Sequence, residues 1–228
     1  MKPNIVLAIT GASGAIYAER LLEVLIASGH DVHLTISPSA QLVLKQELDV
    51  SIDLKDFNAS SLLLDPNENP SDSKLDVLST MAGISSDDSS VLAFGSGEKG
   101  EVHYHHYQDF MAPIASGSFL TDGMVVCPCS GSTLSAMVHG TSTNLIHRAA
   151  DVHLKERRKL ILVTRETPLS TVYIENMLRA STAGAVILPA SPGYYHRVKT
   201  IRDLVDFVVG RICDQLDIRH SLIRRWGD

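Results

Sequence analysis

The 228-residue chain predicts a doubly wound α/β domain, one parallel sheet with helices on both faces. Short apolar runs rich in β-branched residues recur along it, at 5–9, 31–36, 123–127, 160–164 and 185–188. Stretches with helical spacing of apolar residues separate them. Two of the strand ends pass directly into small-residue turns that open helices, "TGASGA" and "CPCSGS".

The elements follow in order. Residues 5–9 are continuously apolar and bounded by Gly11, as a buried parallel strand is. Ile16, Leu21, Leu22, Leu25 and Ile26 recur at helical spacing until Gly29 stops the helix. The alternating run 31–36 predicts a second strand, and 41–48 a second helix. From about 58 to 100 the composition shifts to Ser, Asp and Pro, in "DPNENPSDSK" and "ISSDDSS". That predicts a partly disordered surface insertion, a lid being the alternative, with regular order resuming after His106. Residues 123–127 are a third buried strand, and 130–139 a helix N-capped by Ser130 or Ser132. After the strand 160–164, Thr167-Pro168 is expected to start a helix running to Gly184. The strand 185–188 and an amphipathic helix over 203–216 close a single domain without internal repeats.

At 44% hydrophobic residues the chain can bury a sizeable core. A formal charge of −6 argues against a nucleic-acid binder, Lys155-Glu-Arg-Arg-Lys159 being the main basic stretch. Three cysteines, Cys127, Cys129 and Cys213, fit a reducing compartment better than a disulfide framework. There is no apolar leader and no run of transmembrane length, so a cytoplasmic protein without membrane attachment is expected.

A strand, a glycine turn and a helix start make an anion site, because backbone N–H groups and the helix dipole face the ligand. G-x-x-G alone is short of a dinucleotide fingerprint and could be a packing turn. The second strand ends in Ser37-Pro38, where an NAD site would place Asp or Glu. "CPCSGSTLSA" clusters Ser130, Ser132 and Thr133 at a second helix start. Two hydroxyl-rich helix tips on the carboxyl edge of one sheet describe a site for a phosphorylated ligand. Cys127 and Cys129 have no second pair, so they read as packing residues, not zinc ligands. His103, His105 and His106 lack a further ligand at convincing spacing; an exposed loop and no metal are expected.

The stretches "ITGASGAIYA", "CPCSGSTLSAMVHG", "NLIHRAADVHLKERRKLILVTRETPLS", "GAVILPASPGYYHR" and "DLVDFVVGRICD" closely resemble the flavin prenyltransferases of the UbiX type. The resemblance covers nearly everything outside 58–100. It implies a flavodoxin-like Rossmann fold that binds FMN noncovalently, a metal-independent prenyltransferase and a homo-oligomer, commonly a dodecamer. It implies transfer of dimethylallyl from dimethylallyl phosphate to N5 and C6 of reduced FMN, the product serving a UbiD-type decarboxylase. By the same resemblance Gly11, Ala12, Ser13, Ser37, Ser130, Gly131, Ser132, Thr133 and Arg165 contact FMN. Tyr195 and Arg211 bind the prenyl phosphate, with Lys155 and Arg148 assisting, and Phe110 and Trp226 supply aromatic rings. Glu47 and Glu166 stand at the reacting centre. The family often has proline after "YHR", where this chain has Val198.

These residue types suit the chemistry. Arginine and lysine hold a departing phosphate, and arginine does so bidentately. Aromatic faces stabilise an allyl cation, and a carboxylate such as Glu166, or the departed phosphate, can take the ring proton. Without the resemblance, Arg148, Lys155 and Glu156 would read as a solvated helix face, and Glu47 as a solvated carboxylate. An FMN-dependent decarboxylase of the cysteine-decarboxylase group is the alternative function, but no convincing copy of its histidine and Asn-rich signature is present.

Overall fold

The computed structural model describes residues 2–63, 98–195 and 198–223. Among them β1 (Asn4–Ile9), α1 (Ala15–Ala27), β2 (Asp31–Ile36) and α2 (Pro38–Leu48) come first. Then come β3 (Val102–Tyr104), β4 (Gly123–Cys129), α3 (Gly131–Val138) and α4 (Leu145–Lys155). The chain continues with β5 (Leu160–Thr164), α5 (Thr171–Ala183), β6 (Val186–Ile187) and α6 (Ile201–Gln215).

The strands form one sheet in the order β3-β2-β1-β4-β5-β6, every pair parallel. Strand alternation sends Ile5, Leu7 and Ile9 to one face and Val6 and Ala8 to the other. The first face packs against α1, α2 and α6, the second against α3, α4 and α5. Both faces of β1 and β4 are therefore buried, which is why these strands are continuous apolar runs. The chain reverses direction across the sheet between β1 and β4, and their carboxyl ends flank that switch point.

Charged side chains also enter the interface of α1 and α6. Arg20, 3% exposed, donates from Nε to Asp206 Oδ1 at 2.7 Å and from Nη1 to Glu23 at 2.9 Å. Glu19 lies buried beside them, and burial together with the Glu23 carboxylate raises its pKa to about 8.

Several expectations change. Regular order resumes before His106: His103 lies on β3, paired with His33 of β2. His33, His103 and His105 stack, with ring centroids 5.0 and 5.2 Å apart, and His33 Nδ1 bonds His105 Nε2 at 2.9 Å. They are partly buried, not an exposed loop, because β3 extends the sheet and Phe119 packs edge-on against His33. Among the described residues no group of three or more His, Cys, Asp or Glu could hold a metal ion. The helix expected from Thr167 begins at Thr171, where the Ser170 hydroxyl accepts from the Tyr173 N–H. Of the 58–100 insertion, 64–97 lie outside the described residues. No described helix is long and apolar enough to cross a membrane.

Candidate functional site

Three chain segments meet at the carboxyl ends of β1, β2 and β4. The first is the turn Gly11–Gly14. A Cβ on Gly11 would collide with Ser39 in the first turn of α2, so only glycine lets the two backbones approach this closely. Gly14 has φ 110°, left-handed geometry that a side chain would strain. The second is the tip of α2, where the Ser37 hydroxyl accepts from the Ala40 N–H at 3.1 Å. The third is the tip of α3. There the Ser130 oxygen accepts from the Thr133 N–H, and its hydroxyl lies 2.9 Å from Thr133 Oγ1 and 3.2 Å from Ser132 Oγ. Both caps use the serine oxygen as acceptor, as N-caps do.

Thr10, a residue the sequence did not single out, clamps the first and third segments. Its hydroxyl donates to the Pro128 carbonyl at 2.6 Å and accepts from the Ser130 N–H at 2.8 Å. The only signal was a polar residue closing an apolar strand. Tyr173 of α5 supports the α3 tip from below, its hydroxyl donating to the Cys129 carbonyl.

Glu47 reaches from α2 to the glycine turn. Its carboxylate accepts from the N–H of Gly14 at 2.9 and 3.2 Å and of Ala15 at 2.8 Å. It is thus bound to the turn instead of solvated. This also revises the expectation that the amides at the start of α1 face a ligand: those of Gly14 and Ala15 are given to Glu47. A second anion at that same tip would meet a carboxylate, so a dianionic phosphate is better placed at the tip of α3.

Arg165 ends β5. Its Nε is buried and, among the described residues, has no hydrogen-bond partner. Cys129 pairs with Thr164 across β4 and β5, so Arg165 stands beside Ser130 at the α3 tip; the Tyr173 hydroxyl there has its pKa raised to about 12, chiefly by burial. Glu166 is exposed and accepts weakly from the Thr167 N–H. A buried guanidinium nitrogen without an acceptor is costly unless an anion completes it.

Other residues lie elsewhere. Tyr195 is 60% exposed and meets Phe207 of α6 edge-on at 5.8 Å. Phe207 and Arg211 line a cleft of about 240 Å³ against β6. Burial chiefly, with smaller contributions from Cys127 and Tyr194, raises the Tyr17 pKa, and the Tyr17 ring stands next to Gly14 of the glycine turn. Arg148 and Lys155 are not brought to these segments. Arg148 donates to the Ala115 carbonyl and Asp151, while Lys155 pairs with Glu156 against Gly117, just before β5 begins, at the opposite rim of the sheet. Phe110 is 46% exposed in the segment after β3, and Trp226 lies outside the described residues.

A parallel sheet with capped helix tips at its switch point is the architecture in which nucleotide-type ligands bind at the strand carboxyl ends, and comparison with known proteins narrows the class. The family model described as Flavoprotein matches residues 1–213. A curated flavin prenyltransferase UbiX from Alkalihalophilus pseudofirmus is 44% identical, covering 96% of this chain and 94% of the relative. The crystal structure of AnUbiX (PadA1) in complex with FMN and dimethylallyl pyrophosphate superposes with a TM-score of 0.76 at 36% identity, covering 100% and 99% of the two chains. A dodecameric FMN-dependent UbiX-like decarboxylase from Escherichia coli O157:H7 gives 0.73 at 33%, covering 99% and 100%. The chain belongs to the flavoprotein family and, within it, to the flavin prenyltransferases of the UbiX type.

Proposed function

We propose that the protein transfers a dimethylallyl group from dimethylallyl phosphate to N5 and C6 of reduced FMN, forming prenylated FMN for a UbiD-type decarboxylase. The observation that carries this is the buried, unpartnered Arg165 Nε beside the Ser130–Thr133 tip, a preformed demand for an anion. The residues present fit a flavin phosphate there, with Ser37, Ser130, Gly131, Ser132, Thr133 and Arg165 around it and Gly11, Ala12 and Ser13 along the ring side. Bound FMN supplies the nitrogen and carbon that receive the prenyl group.

The chain's own groups do the rest. Arg211 and Tyr195 take the phosphate end of the donor, arginine through paired N–H groups and tyrosine through its hydroxyl. The Tyr195 face stabilises developing allyl charge. Glu166, exposed at the end of β5, accepts the proton released on ring closure. Glu47 holds the glycine turn and lies beside Ser13.

Arg148, Lys155 and Phe110 would join this site from another copy of the chain. Exposed Val172, Ile174 and Leu178 on α5 offer apolar surface for such an assembly, and the dodecameric Escherichia coli relative supports one.

The test is anaerobic incubation of the protein with reduced FMN and either dimethylallyl phosphate or its diphosphate, followed by mass spectrometry of the flavin. A gain of one C5H8 unit is expected; an unchanged flavin with both donors would refute the assignment. Y195A should impair donor use more than FMN affinity, and equal loss of both would make Tyr195 structural. E166Q should slow the second bond-forming stage with FMN still bound; an unaltered rate would remove Glu166 from it.

A further inference from the structure

Arg211 is not an isolated cation on α6. Phe207, Arg211 and Asp214 are spaced i, i+4 and i+7, so they share one face of the helix. Arg211 Nη1 donates to Asp214 Oδ2 at 2.7 Å. The other oxygen, Oδ1, accepts from His220 Nε2 at 3.1 Å. His220 Nδ1 accepts from the Leu222 N–H at 3.3 Å, which leaves the ring proton on Nε2, facing Asp214. The His220 side chain is fully buried. It fits because residue 210 is glycine: a Cβ there would stand 3.0 Å from His220 Cε1 and 3.3 Å from Ile223.

A pair whose arginine is about half exposed contributes little to stability, whereas a buried histidine fixing the carboxylate behind it makes a directed support. One N–H of Arg211 is used by Asp214, and the guanidinium has further donors for an anion. Buried Asp206, bonded to Arg20, fixes the rotation of α6 one helical turn earlier.

We propose that Asp214 and His220 are positioning residues for Arg211, together aiming its guanidinium at the anion received by the cleft between β6 and α6. The proposal rests on that cleft taking the prenyl donor's phosphate. Neither residue touches the donor; each acts through Arg211.

The assay measures KM for dimethylallyl phosphate and, separately, Kd for FMN in D214N, H220A, H220Q, R211A and the double variant R211A/D214N. D214N and H220A should raise the donor KM about tenfold, the order of loss when a reacting group is displaced by a fraction of an ångström, with FMN Kd unchanged. H220Q, whose amide can donate the same bond, should recover most of it. In the R211A background D214N should add nothing. If R211A raises the donor KM and D214N does not, or if D214N raises it equally without Arg211, the positioning role is wrong. If R211A itself leaves the donor KM unchanged, the cleft is not the donor site. Should D214N or H220A fail to fold, G210A carries the test, since it pushes His220 aside without altering any charge. It should raise the donor KM with FMN Kd unchanged, and a wild-type donor KM in G210A would overturn the proposal.

Discussion

Glu47→Gln is a sharp test of how the glycine turn is built. The carboxylate makes three contacts of 2.8–3.2 Å with the Gly14 and Ala15 amides at the start of α1. Glutamine keeps one oxygen, and its NH2 cannot accept. A charge at a partly buried helix N-terminus contributes up to about 2 kcal/mol. Replacing charge-assisted hydrogen bonds by neutral ones costs about 1 kcal/mol. The two terms overlap, so E47Q should lose about 2 kcal/mol. For a chain of this size that is a fall in Tm of about 6 °C. Urea unfolding should show the lower midpoint with an unchanged m-value, since the exposed area on unfolding is the same. A loss below about 0.5 kcal/mol, the range of an ordinary surface substitution, would mean that the carboxylate does not hold the turn.

Asp206→Asn leaves buried Arg20 without its strongest partner and should cost about 3 kcal/mol by urea denaturation; a near-neutral effect would show that Glu23 suffices. His33 and His153 are buried and neutral, their pKa values pushed down to about 4, chiefly by burial. The unfolded chain takes up these protons near 6.5, so stability is full above that pH and falls as pH drops toward 4. Each should contribute roughly 2 kcal/mol of loss, and H33N should flatten its share of the slope in unfolding measured from pH 7 to 4; an unchanged slope would contradict this. Glu19 behaves oppositely. Its pKa, raised to about 8, makes its contribution complete below 4.5 and lost as pH rises through 8. E19Q should therefore gain on the native protein by a few kcal/mol, about 3, between pH 5 and 9; equal pH profiles would show that Glu19 is solvated in the native state.

Strands buried on both faces were legible because they leave continuous apolar runs, and the serine-capped tips because capping chemistry is local. The helix α4 was not separately assigned, although Leu145, Ile146, Ala149 and Val152 recur at helical spacing and its amphipathic pattern is strong. The three-residue β3 was hidden because its partly buried side chains include a histidine and a tyrosine. The site divides similarly. Residues adjoining strand ends lie at one rim because the strand before each fixes its position. Glu47 and Thr10 act through contacts 33 and 118 to 120 residues away in sequence, which no local pattern reports. Lys155 falls at the far rim because α4 runs from the carboxyl side of the sheet back to the start of β5, while Arg148, in its first turn, is turned to Ala115 and Asp151.

The most direct measurement is a crystal structure of the protein with FMN bound. The predicted result has the phosphate at the tip of α3, within hydrogen-bonding distance of Ser132 or Thr133, Arg165 Nε engaged, and Glu47 still on the Gly14 and Ala15 amides. A phosphate seated on the α1 amides with Glu47 displaced, or a flavin remote from Ser130–Thr133, would contradict the site built above.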